Sequence, residues 1–128
     1  MKAFVIHGKP RLTSSTRGLK DWENRIALAA REKHPHAPLT APVNIVARFV
    51  FTRPELHMGT GRNKGVVKPK YDKSIPPKDV DKLARALLDG MTGVVFDDDK
   101  RVARLLVSKV YGPIPGAFVA VTAADDTE

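Results

Sequence analysis

The segment VNIVARFVF (43–51) constrains the fold more than any other part of this chain. Val43, Ile45, Ala47, Phe49 and Phe51 fall on one side of a period-two alternation, with Asn44 and Arg48 on the other. That spacing predicts a strand with one well-buried face, which needs a packed layer to cover it. Other β-branched and aromatic runs predict further strands: AFVIHG (3–8), a long RVARLLVSKVY (101–111), AFVAVTA (117–123) and a short VVF (94–96). Helical spacing appears twice. Leu19, Trp22, Ile26 and Ala29 or Ala30 predict a helix from Leu19 to about Lys33, with N-caps offered by the Ser and Thr residues of KPRLTSSTRG and a stop at HPHAP. Val80, Leu83, Ala84, Leu87, Leu88 and Met91 predict a second, from Asp79 to about Met91, with Gly93 as its stop. DDDK reads as a tight turn, and GPIPG breaks the chain before the last strand. The order of strands and helices describes an α+β or mixed α/β domain.

At 128 residues the chain has room for a single hydrophobic core. One domain over 1–124 is expected, followed by a short acidic tail, 125–128. There is no cysteine, which excludes a disulfide framework, a zinc ribbon and thiol chemistry. The opening MKAFVIHGKPR has too short an apolar run for a signal peptide, and no run approaches a membrane span. A cytoplasmic protein is the expectation. The formal net charge of +8 points to a polyanionic partner, nucleic acid before an anionic membrane surface. Neither helix sets a strongly basic face against a large apolar one, which argues against membrane-surface binding.

Against that charge, the stretch PPKDVDKLARALLDGMTGVVFDDDKRV (76–102) gathers six of the chain's aspartates into residues 79–99. One reading is structural. Asp79 caps the second helix, Asp81 favours its dipole and pairs with Arg85 at i, i+4, and the triple aspartate is a solvated turn. The other requires the helix and the DDDK turn to be neighbours. Asp79 and Asp81 then approach one or more of Asp97, Asp98 and Asp99, and clustered carboxylates repel unless a cation neutralises them. Hard divalent ions such as Mg²⁺ take such oxygen ligands together with phosphate and water. Beside a basic surface, this is the equipment of metal-assisted phosphodiester cleavage.

Other motifs carry less. DDDKRV lacks the alternating acids and glycine of an EF-hand loop, and GTGRNKG lacks a phosphate-loop ending. His34 and His36 offer two metal ligands without a third and read as an exposed loop pair. His7 and His57 read as surface or structural residues. Residues 52–78 are aperiodic, hold seven Lys or Arg against two acids, and form a loop long enough to be functional or disordered. Acids rather than donors at the start of the second helix argue against helix-turn-helix recognition.

The run PKDVDKLARALLDGMTGVVFDDDKRV resembles the signature of the RusA family of Holliday junction resolvases, the crossover junction endodeoxyribonucleases of bacteria and their phages. The family pattern is Asp-x-Asp at a helix start, a basic residue four positions later, an Asp-Ala-Leu-Thr-Gly-like segment, then paired acids before a strand. Here these are Asp79-Val80-Asp81, Arg85, Asp89-Gly90-Met91-Thr92-Gly93 and Asp98-Asp99. The GKP after the opening strand and the basic RPELHMGTGRNKG loop are also familiar from family members. The resemblance implies a small mixed β-sheet with two main helices packed on it. It also implies a homodimer that cuts four-way DNA junctions with Mg²⁺, for which Mn²⁺ is a possible substitute. Asp79, Asp81 and Asp99 fall on the family's metal-binding acids, with Asp98 a further candidate. Arg85 stands where the best-known member has a catalytic lysine; it keeps the charge and clamps phosphate but stays protonated. Lys82 stands where that member has asparagine.

The expected mechanism joins the two readings. Asp79, Asp81 and Asp99 hold one or two Mg²⁺ ions, and Arg85 steadies the phosphate. Lys9, Arg11 and Arg17 on one side, with Arg62, Lys64, Lys68, Lys70, Lys73, Lys78 and Lys82 on the other, cradle the junction arms in salt-sensitive contacts. The competing expectations are a DNA-binding protein that does not cut and a broader structure-specific nuclease.

Overall fold

A computed structural model describes residues 2–124; the acidic tail lies outside them. Strands β1 (Lys2–His7), β2 (Val43–Phe51), β3 (Val102–Tyr111) and β4 (Gly116–Ala123) form a mixed sheet in the order β1-β4-β2-β3. β4 runs antiparallel to both β1 and β2, whereas β2 and β3 are parallel. Parallel neighbours need a crossover, here the 52–78 loop and helix α2 (Val80–Met91). Helix α1 (Leu19–Lys33) joins β1 to β2.

The alternation in β2 settles which face is covered. Ile45, Ala47 and Phe49 lie in register with Val121, Val119 and Ala117 of β4, and all six are buried with Phe4 and Ile6 of β1. α1 adds Trp22, Ile26 and Ala30 to this core, and α2 adds Leu83, Ala86, Leu87 and Met91. The helices approach closely at Gly90, where a Cβ would stand 2.8 Å from Ile26 Cβ. α2 ends at Met91 because Gly93 takes a left-handed φ of 84°, a conformation that only glycine adopts at little cost.

Four local expectations are corrected. VVF (94–96) is not a strand of the sheet. Val95 N–H bonds Met91 O at 2.9 Å and Gly93 N–H bonds Phe96 O at 2.7 Å, so the segment curls back under α2. It is apolar because Val94, Val95 and Phe96 are buried there. No Ser or Thr caps α1; Gly18 precedes it, and Ser15 Oγ instead accepts from Leu12 N–H at 2.9 Å. Val80, assigned to the buried face of α2, is 39% exposed at the helix entrance. His34 is buried, edge-on to Phe4, while His36 is exposed, so they are not an exposed pair. Burial, then the charges of Lys2 and His36, push the His34 imidazole below its ordinary pKa.

The 52–78 loop is held by its own hydrogen bonds. It contains three short 3-10 turns, Glu55–His57, Gly61–Asn63 and Pro69–Tyr71, and Lys68 N–H returns to His57 O at 2.8 Å. Arg53 pins it by donating to Tyr71 O at 2.9 Å. Among the described residues no helix is long and apolar enough to cross a membrane.

Candidate active site

The three consecutive aspartates, indistinguishable by sequence, have three different engagements. Asp97 takes Arg101 in a two-point ion pair at 2.8 and 3.0 Å, which holds its carboxyl below the ordinary aspartate range. Asp98 caps the 3-10 turn Asp99–Arg101, its Oδ1 accepting from Lys100 N–H at 2.9 Å. Asp99 reaches across to α2, where its Oδ2 accepts from Arg85 Nη2. The helix and the DDDK turn are therefore neighbours.

Arg85 also contacts Asp89 Oδ1, from Nη2 at 3.1 Å and from Nε at 3.2 Å. It does not pair with Asp81. Its guanidinium is raised above the ordinary arginine pKa, foremost by the bond to Asp99, with Asp89 adding to it. Arg85 and Asp99 side chains are 44% and 37% exposed, so solvent screens the pair and its stabilisation is of order 1 kcal/mol at most. Such a contact positions groups more than it stabilises the fold.

Asp79 occupies the cap position of α2, yet its carboxylate bonds no helix N–H; it lies 3.3 Å from Lys82 Nζ. Asp81, in the first turn of α2, carries no ion pair among the described residues. Asp81, Arg85 and Asp89 follow one another at helical spacing along one stripe of α2. The candidate ligands Asp79, Asp81 and Asp99 offer only carboxylate oxygen, Asp79 and Asp81 exposed and Asp99 half-buried, the chemistry that suits Mg²⁺ bound through one or two acids with water and phosphate. Among the described residues no three His, Asp or Glu side chains are gathered into a ligating cluster.

Basic groups flank the start of α2. The loop after β1 lies on its first turn, Thr13 N–H donating to Lys82 O at 3.3 Å. Lys109 Nζ, on β3, donates to Lys78 O at 2.6 Å. Lys9 and Lys78 line one cleft of about 380 Å³. Arg17, Arg62, Lys64, Lys70 and Lys73 are exposed, whereas Arg11 and Lys68 are half-buried; Lys70 Nζ lies 5.0 Å from the Tyr71 ring centre.

One group escaped the sequence reading. His57 stacks on Tyr71 with ring centres 4.2 Å apart and meets Tyr111 edge-on at 5.5 Å. The Arg53 guanidinium lies 4.8 Å from the centre of the Tyr111 ring. These residues span positions 53–111, so no local pattern joins them; the one available signal is that Tyr71 and Tyr111 are the chain's two tyrosines.

Compared with known protein families, residues 2–122 match the family described as "Endodeoxyribonuclease RusA". The chain is also similar to "Uncharacterized protein YqaN" of Bacillus subtilis (strain 168), 22% identical over 132 residues that cover 92% of this chain and 93% of that protein.

Proposed function

The chain belongs to the RusA family of endodeoxyribonucleases, and we propose on that basis that it resolves four-way DNA junctions by paired, metal-dependent nicks. The reading is supported above all by the Arg85–Asp99 contact. It ties the last acid of the DDDK turn to the helix that begins with Asp79 and carries Asp81.

In this reading Asp79, Asp81 and Asp99 would hold the divalent ion, with Mg²⁺ the first choice and Mn²⁺ a substitute. When bound, the ion supplies a Lewis acid for the phosphate and lowers the pKa of water. Arg85 turns from its carboxylates toward the scissile phosphate and stabilises developing negative charge, a role suited to a planar, permanently charged donor. Asp89 keeps the guanidinium on the solvent side of α2. Lys9 and Lys78 anchor flanking phosphates, and Lys82 offsets the charge of Asp79, which it approaches at 3.3 Å.

Paired nicks suit a two-fold dimer. The uncovered face of the sheet supports one: Val5 and Phe118 lie opposite each other on β1 and β4, Val46 and Leu106 on β2 and β3, and all four are exposed. An apolar sheet face left to water is what a partner copy would cover.

The test is cleavage of a labelled synthetic four-way junction in Mg²⁺ or EDTA by wild type and Asp79→Asn. Symmetric nicks by wild type in Mg²⁺ alone are expected. Tight binding with no nick in any divalent metal would leave a second reading, a junction-binding protein that does not cut. That alternative is favoured by one observation, the absence of a gathered three-acid cluster among the described residues.

A further inference from the structure

Tyr111 closes β3 and forms the wall shared by two clefts, each of about 380 Å³. One runs over Pro54, Pro77 and Pro115 and carries Lys9 and Lys78. The other holds Arg53, Met58 and Pro113. Their volume falls within the ~300–1,000 Å³ range of small-molecule sites. The Tyr111 ring is half-buried, and its hydroxyl has no hydrogen bond among the described residues.

The ring is fixed before any ligand arrives. His57 meets it edge-on and is itself stacked on Tyr71, while Arg53 lies over the ring from the side of the second cleft, tied to the backbone oxygen of Tyr71. A preset aromatic wall loses little freedom on binding. Flat apolar surface combined with cations at the rim matches one chemical class, a planar base carrying a phosphate. Stacking supplies the sequence-tolerant part of such binding and the cations supply the rest. The first cleft also adjoins the entrance of α2: Lys78 precedes Asp79, and Lys109 fixes the Lys78 carbonyl.

We propose that the cleft between Lys9, Lys78 and Tyr111 receives one unstacked nucleobase of branched DNA, stacked on the Tyr111 ring, with the two lysines on its neighbouring phosphates. The inference rests on the functional reading above. Unstacking costs least where a base is not fully paired and stacked, and a branch point interrupts the continuous stack, so the cleft would favour branched over continuous DNA.

The test measures binding in EDTA, where no strand is cut. Four-way junctions carrying a single abasic residue at each position around the branch are titrated with wild type, Tyr111→Leu and Tyr111→Phe. At one position, loss of the base is expected to weaken wild type by about tenfold or more, given the ~1–3 kcal/mol of a base–aromatic stack. Tyr111→Leu should bind the intact junction about tenfold less tightly and be indifferent to the abasic site, while Tyr111→Phe follows wild type. This coupling isolates the ring–base pair from general effects of the substitution. Should Tyr111→Leu fold poorly, 5-iododeoxyuridine at that position, irradiated with wild type, is expected to crosslink to Tyr111. Equal abasic sensitivity in wild type and the Leu variant, or a crosslink mapping elsewhere, overturns the subsite while junction binding stands. Wild type showing no preference for junction over duplex overturns the functional reading, and the subsite with it.

Discussion

Arg85 on α2 donates to Asp99, fourteen residues further along the chain, and holds the DDDK turn against the helix. Its second partner, Asp89, lies one turn along the same helix. A single guanidinium thus links the two acidic stretches of a basic protein, and their concentration in one short segment acquires a reason.

Arg85 should matter far more to cleavage than to folding. Arg85→Ala is expected to slow single-turnover nicking by about 10²-fold or more, the scale of losing one preset donor to a developing charge. Its unfolding free energy should fall by no more than about 1 kcal/mol, because the ion pairs are half-exposed. Arg85→Lys should retain part of the rate. Quenched-flow nicking and urea titrations separate the effects; equal loss of rate and stability would reassign Arg85 to the fold.

The three adjacent aspartates should separate by function. Asp99→Asn is expected to remove cleavage while junction binding in EDTA stays within about threefold, since uncharging an acid near phosphate does not weaken attraction. Asp98→Ala should cost about 1 kcal/mol through the lost cap and leave most of the cleavage rate. Asp97→Asn, which loses only the Arg101 pair, should also keep its rate. Comparable inactivation of all three would mean that the turn acts as a unit.

Phe118 should control association. Phe118→Arg places a charge on the open sheet face beside Arg48, its neighbour across β2, and is expected to raise the dimer dissociation constant by about a hundredfold. Sedimentation equilibrium reads this directly. A variant with unchanged mass distribution would move the dimer contact elsewhere.

Acid should destabilise the protein through His34. A buried imidazole with a depressed folded pKa binds its proton more readily in the unfolded chain, so its stabilisation is complete above pH ~6.5 and declines below it. One such group contributes a slope of at most about 1.4 kcal/mol per pH unit. His34→Phe, which keeps a ring against Phe4, should flatten the decline between pH 6.5 and 5 in urea titrations. An unchanged slope would assign acid sensitivity to another group.

The sequence by itself determined the local periodicities. The alternation in VNIVARFVF fixed a strand and its buried face, and the two apolar stripes fixed helices at Leu19–Lys33 and Val80–Met91. Side-chain geometry repeats every 2 or 3.6 residues regardless of the rest of the fold. The Asp-x-Asp signature likewise marked a helix entrance, because the preference of acids for the first turn is local, although the Asp79 side chain caps no helix N–H there. VVF misled because local apolarity reports burial and not the partner that provides it. Tertiary structure alone decided that Arg85 chooses Asp99 and Asp89 over Asp81 and that Asp97 is held by Arg101. It also decided that Arg53, His57, Tyr71 and Tyr111 meet. Charge and aromatic contacts are set by distance in space, and these distances exist only once β2, β3 and α2 have packed around one core.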